Sequence, residues 1–151
     1  MSVIPFILAG QFEEVGKAFS EAVKPDFEVV YFATSPQAAL TDIPLVLKGE
    51  VPTPSSKVGS GNLVNGPPKA VVIGAQAYDD AWIEAARQEL RATGKRVPFL
   101  KPDVAGAQGG GVGAGSQGDR AKEAAERVIT ALKKLEDEGK LEGNDDGVYI
   151  Y

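Results

Sequence analysis

The feature that most constrains this chain is an alternation between short, continuously apolar runs and longer segments whose apolar residues recur every three or four positions. Apolar runs occupy residues 3–9, 27–33, 69–75 and 96–100. A run that is apolar at almost every position is typical of a strand buried on both faces. Such strands occur in parallel sheets that are covered by helices on both sides, so the pattern predicts an α/β fold.

A segment with helical spacing follows each apolar run. We predict helices over residues 12–23, 37–40 and 120–138, and another that begins after a cap at Asp79 or Asp80 and ends before Gly94. Gly16 lies within the first of them, where it would allow close packing on the sheet.

The ends of these helices carry recognisable signals. Ser35, Asp119 and either Asp79 or Asp80 are predicted N-caps. Gly94 is suited to the residue after a helix C-terminus. Pro44 is expected to break the second helix, because proline lacks the N–H that a helix interior needs.

The element order predicts a single domain over residues 1–151, a three-layer α/β/α sandwich around a mostly parallel, doubly wound sheet. This architecture is Rossmann-like or flavodoxin-like, and we expect the strand order 2-1-3-4. Residues 51–68 and 103–118, rich in Gly, Pro and Ser, are predicted to be long flexible loops.

The last residues, 148–151, alternate Val and Ile with Tyr and are predicted to form a terminal strand. An exposed apolar strand either joins the edge of its own sheet or pairs with another chain. We favour docking within the chain, and a homodimer contact is the alternative.

Composition excludes several classes of chemistry. The 151 residues contain no Cys and no His, which excludes disulfides, Cys-ligated metals and a Ser-His-Asp mechanism, and we predict no metal site. With 16 Lys plus Arg against 21 Asp plus Glu, the net charge of −5 argues against nucleic-acid binding. No apolar run approaches the roughly 20 residues of a membrane span, so we expect a cytoplasmic protein without membrane contact.

Ligands of open doubly wound sheets bind outside the carboxyl ends of the strands, where the strand order reverses. That rule, rather than any motif, selects the candidate site residues. The predicted ligand-binding residues are Gly10, Gln11, Phe12, Thr34, Ser35, Gly74, Gln76 and Lys101.

A dinucleotide-binding fingerprint would require G-x-G-x-x-G after the first strand, and residues 10–16 read GQFEEVG. The two acidic residues in this turn would repel a pyrophosphate. The cofactor is therefore unknown: a nucleotide or dinucleotide could bind, but the standard NAD fingerprint is absent. The glycine-rich run at residues 109–115 is typical of a linker.

Three hypotheses remain. The first is a small module that binds a small molecule or nucleotide-like ligand at the strand ends without a recognisable catalytic set. The second is a non-enzymatic assembly protein built on a degenerate Rossmann-like scaffold. The third is an NAD(P)-dependent oxidoreductase-like enzyme, for which Tyr78, Lys101 and Asp103 are weak catalytic candidates.

Overall fold

A computed structural model of the chain describes ten stretches of backbone: residues 4–10, 13–23, 27–33, 35–48, 50, 68–73, 80–94, 96–101, 117–141 and 147–150. For residues 13–15, 36 and 117–124 the description covers the backbone only. The predicted loops at 51–68 and 103–118 lie outside these ranges, apart from Pro68, Gln117 and Gly118.

Five strands and four helices lie within the described residues. In chain order they are β1 (Ile4–Ala9), α1 (Glu13–Val23), β2 (Phe27–Ala33), α2 (Pro36–Leu47), β3 (Val71–Ile73), α3 (Asp80–Thr93), β4 (Phe99–Lys101), α4 (Gln117–Asp137) and β5 (Val148–Ile150).

The strands form one parallel sheet in the order β2-β1-β3-β4-β5, so the predicted order 2-1-3-4 is confirmed. The terminal strand docks within the chain, with Val148 level with Phe99 and Ile150 level with Lys101. The chain is therefore an α/β protein with its longest strands, β1 and β2, side by side.

Two cores lie on the two faces of the sheet. On one face α2 and α3 pack over alternate residues of the central strands, including Ile7, Val71 and Phe99. On the other face α1 and α4 pack over Phe6 and Leu100. In α3 the apolar residues with helical spacing form the buried face: Trp82, Ile83, Ala86 and Leu90.

The predicted close approach at Gly16 is confirmed and has a specific cause. A Cβ atom on Gly16 would lie 2.8 Å from Cε1 of Phe32, and a Cβ atom on Gly10 would lie at the same distance from that atom. The Phe32 ring thus occupies the space in which side chains at both positions would stand. Gly94 is also confirmed as the residue after a helix, with φ of 81°.

The prediction that Pro44 breaks the second helix is wrong, because α2 continues through it to Leu47. Proline removes its own N–H and crowds the carbonyl four residues earlier, but Ile43 and Val46 on either side of it are both buried in the core. The carbonyl of Pro44 still accepts a hydrogen bond from the Lys48 N–H at 3.1 Å. Packing of the apolar face therefore outweighs one lost backbone bond.

The prediction that Asp119 is an N-cap is also wrong. The helix α4 begins at Gln117, so Asp119 lies in its first turn, and Gln117 and Gly118 belong to the helix rather than to the predicted loop. An acidic residue is favoured in a first helical turn as well as at the cap, because both positions face the positive end of the helix dipole. Residue type alone could not separate the two positions.

The connection from β4 to β5 departs from the rest of the fold. The pairs β3–β4 and β4–β5 run in the same direction across the sheet, yet α3 lies on one face and α4 on the other. Of the described helices, the one that leads into β5 therefore packs on the face opposite to the one that leads into β4.

None of the helices in the described part of the chain has the length and apolar character needed to cross a membrane.

Candidate functional site

The carboxyl ends of the strands are level with one another. Ala9 pairs with Ala33 on one side and with Ile73 on the other, and the register of β3 with β4 continues this row to Lys101. From β1 the chain passes to β2 on one side, and from β3 it passes to β4 on the other. The strand order thus reverses between β1 and β3, which is where open α/β sheets form their binding crevices.

Lys101 is the charged residue of this row. It is the last residue of β4, and its Nζ lies 2.9 Å from Oδ1 of Asp80, the first residue of α3. The Lys101 side chain is 28% exposed and that of Asp80 is 85% exposed. Because solvent screens such a pair, it is worth about 0–1 kcal/mol. An incoming anion could therefore replace Asp80 at the ammonium group at little cost.

Gly10 lies at the end of β1, where the sequence predicted it. Its N–H donates to the carbonyl of Ala33 at 2.9 Å, and the absence of a side chain is required by the Phe32 ring. The described contacts of Gly10 are therefore structural. Its predicted role in letting a ligand approach the backbone stays a prediction.

Ser35 follows β2 and caps α2, as predicted. Its Oγ accepts a hydrogen bond from the Ala38 N–H at 3.2 Å, and Pro36 follows at the first helical position. A ligand that replaced the Ala38 N–H at this oxygen would weaken the cap.

Gly10, Ser35 and Lys101 are thus brought to the same edge of the sheet, since all strands are parallel. Lys101 lies two strands from β1, which corresponds to about 10 Å. The other predicted residues lie outside the described part of the chain: Gln11, Phe12, Thr34, Gly74, Gln76, Tyr78 and Asp103.

Sequence reasoning missed the pairing of Lys101 with Asp80. It considered Asp80 only as a possible helix cap, and it grouped Lys101 with Tyr78 and Asp103 as weak catalytic candidates. The predicted strand order contained the missing signal, because placing β4 beside β3 brings the end of β4 next to the start of the helix that follows β3.

A second missed contact joins β2 to α2. The hydroxyl of buried Tyr31 donates a hydrogen bond to the carboxylate of Asp42 on α2.

Within the described residues no three acidic side chains come together as metal ligands.

Comparison with known proteins gives one informative likeness. Over 107 residues the chain is 28% identical to a protein of Aspergillus oryzae (strain ATCC 42149 / RIB 40) named Kojic acid related protein 6. The aligned region covers 68% of this chain and 60% of that protein, so the chain spans less than two thirds of its relative. No protein-family description matches the chain, and no solved structure matches it.

Proposed function

We propose that this protein is a small-ligand-binding module whose site lies outside the carboxyl ends of β1, β3 and β4. The observation that carries the proposal is the reversal of strand order between β1 and β3 with the ammonium group of Lys101 at the same edge. Crevices at such reversals are the usual ligand sites of open α/β sheets.

The charge of the edge favours a particular kind of ligand. Lys101 holds a single, weakly bound and exposed carboxylate, which a phosphate, carboxylate or enolate oxygen of a ligand could replace. In contrast, the sequence has two acidic residues, Glu13 and Glu14, at the start of α1, and their like charge disfavours an anion there. The proposed ligand therefore carries its anionic oxygen on the β3–β4 side, as a nucleotide-like or small oxygen-rich molecule would.

The likeness to Kojic acid related protein 6 adds one specific probe. The name of that relative connects it with kojic acid, a small oxygen-rich ring compound. Kojic acid therefore belongs beside nucleoside phosphates, dinucleotides and flavins among the ligands to be tested.

Thermal unfolding in the presence of these ligands tests the proposal. A ligand at 100 times its Kd should add about 2.7 kcal/mol to the free energy of unfolding. For a domain of this size, the midpoint of unfolding should then rise by roughly 5–11 °C.

A pair of variants locates the site. Lys101→Met should abolish or strongly reduce the rise, because it removes the ammonium group and keeps most of the apolar length. Lys48→Met is the matched control. Lys48 is an exposed lysine at the C-terminal end of α2, which lies toward the amino-terminal ends of the strands and away from the proposed site. A panel without any rise, or a rise that Lys101→Met leaves intact, contradicts the proposal.

A further inference from the structure

We propose that β5 pairs edge to edge with β5 of a second copy of this chain, in antiparallel orientation, around a two-fold axis beside Tyr149. This inference does not depend on the ligand site. It rests on which backbone groups and which side chains β5 leaves exposed.

The hydrogen bonds of β5 fix the direction of its backbone groups. The Phe99 N–H donates to the carbonyl of Gly147 at 2.9 Å, so the polar groups of Gly147 point toward β4. Successive residues of a strand point their N–H and C=O groups to alternate sides. Tyr149 therefore points toward β4 as well, while Val148 and Ile150 point toward the outer edge, where no described strand follows.

Within residues 148–150, one antiparallel register places both outward-pointing residues in hydrogen-bonded pairs. If Val148 faces Ile150 of the second copy, both residues form hydrogen-bonded pairs, which gives four N–H···O=C bonds across the two-fold axis. Tyr149 then faces Tyr149 of the second copy in a non-hydrogen-bonded pair, with Cα atoms about 4.5 Å apart. A two-fold axis makes the two halves of this contact identical, as in most homodimers.

The side chains support the same pairing. Val148 is 37% exposed and Ile150 is 60% exposed, and both stand on the α2/α3 face, level with Phe99 and Lys101. Among the described helices, α4, which leads into β5, packs on the other side of the sheet. In the proposed register, paired side chains stand on the same face, so two Val and two Ile would form one continuous apolar patch.

Charge favours a second copy in antiparallel rather than parallel orientation. Lys101 is level with the carboxyl end of β5, and in the sequence Asp145 and Asp146 come directly before Gly147 at its amino end. Parallel pairing would place these aspartates of the two copies side by side, whereas antiparallel pairing keeps them at opposite ends of the contact. β5 itself carries none of the Lys or Pro residues that usually protect an edge strand.

The contact is short, so the dimer should dissociate on dilution. Sedimentation of the natural chain should give a mass that rises with concentration from 15.8 kDa toward twice that value. Ile150→Pro should hold the mass at the monomer value, because it removes an outward N–H and leaves the bonds between β4 and β5 untouched. Unchanged thermal unfolding and an unchanged ligand response in dilute Ile150→Pro protein would show that the fold and the ligand site are intact.

Cysteine cross-linking tests the register, since the natural chain has no Cys. Tyr149→Cys should form a disulfide-linked dimer fastest, because the expected Cα separation of about 4.5 Å lies within the range for disulfides. Val148→Cys should react more slowly, because its two copies are offset along the strands. Glu126→Cys, at an exposed position on α4, is the control for random collision.

Three results would overturn the proposal. The first is a monomer at every concentration. The second is a dimer that survives Ile150→Pro, since it would use another surface. The third is cross-linking of Tyr149→Cys no faster than that of Glu126→Cys, which would leave the edge to a different protein or to none.

Discussion

The two edges of the sheet are built in opposite ways. β2 has seven residues, all buried except Glu28, which is half-buried. Val30 is an extra residue in its pairing with β1, since Phe6 is level with Val29 and Ile7 with Tyr31. β5 has three residues, of which Val148 and Ile150 are exposed. The difference lies in what covers each strand, because α1 and α2 pack over opposite faces of β2, whereas among the described residues of β5 only Tyr149 packs against the core cluster that includes α4.

This contrast indicates a division of roles between stability and interaction. The bulge at Val30 and the buried side chains of β2 are features that prevent an edge from pairing with other chains. β5 lacks such features, and covering its exposed apolar side chains would remove apolar surface from water. A substitution at β2 should therefore affect the free energy of unfolding, whereas one at β5 should affect association.

The largest expected effect is at Phe32. Phe32→Ala should lower the free energy of unfolding by about 3–5 kcal/mol, because it leaves a cavity between the end of β1 and α1. Chemical denaturation measures this loss. Ile150→Ala is the comparison at the open edge, and in dilute protein it should stay within about 0.5 kcal/mol. Similar losses at the two positions would refute the contrast.

A smaller effect with an unusual sign is expected at Gly16. Alanine in place of glycine inside a helix ordinarily adds about 1 kcal/mol of stability. Here the new Cβ atom would lie 2.8 Å from the buried Phe32 ring, so Gly16→Ala should instead destabilise by about 1–3 kcal/mol.

The Phe32→Leu background is the control for that effect. Leucine removes the ring from this space, so Gly16→Ala should cost less there or become stabilising, and the double-mutant cycle measures the difference. Equal effects of Gly16→Ala in both backgrounds would mean that the Phe32 ring is not the reason why residue 16 must be glycine.

The smallest effect concerns Lys140, which links β5 to the end of α4. Its Nζ lies 3.0 Å from Oε1 of Glu138 and 5.0 Å from the centre of the Tyr149 ring. Hydrogen bonds to Glu138 first, and to Tyr149 second, raise the pKa of Lys140 above its ordinary value of 10.5. A raised pKa means that folding favours the charged form, so its stabilising effect is complete below pH 10.5 and is lost as the pH rises through the higher folded-state pKa.

Lys140→Met should therefore slightly lower the midpoint of thermal unfolding by an amount that stays constant through neutral pH and shrinks only in strongly alkaline buffer. Tyr149→Phe, examined over the same range, separates the titration of the tyrosine hydroxyl from that of the lysine. A difference between natural chain and Lys140→Met that already disappears near neutral pH would contradict this assignment.

Much of this fold could be predicted from local patterns. Continuous apolar runs identified β1 and β2 because buried parallel strands require them, and Gly16 signalled close packing. The face on which α4 packs could not be predicted, because helical periodicity shows that one side is apolar but not which face of the sheet it covers. Pro44 failed as a helix end because the penalty is local whereas the compensating burial comes from tertiary contacts.

The candidate site was less predictable than the fold. The strand-end rule located Lys101, but its partner Asp80 is 21 residues away in the sequence and meets it only through the β3–β4 register. Gly10 illustrates the reverse problem, because a glycine at a strand end suggests a ligand, while the structure gives it a packing role against Phe32. Such assignments depend on side chains that come together only in the folded chain.

Amide hydrogen exchange at two protein concentrations tests the contrast between the edges most directly. In dilute protein the outward N–H groups of Val148 and Ile150 should exchange rapidly, while the Phe99 N–H, bonded to Gly147, and the Gly10 N–H, bonded to Ala33, should exchange slowly. In concentrated protein Val148 and Ile150 should become protected, and the other two should not change. Exchange at Val148 and Ile150 that is independent of concentration would contradict the open β5 edge, and equally fast exchange at Gly10 would contradict a stable pairing of β1 with β2.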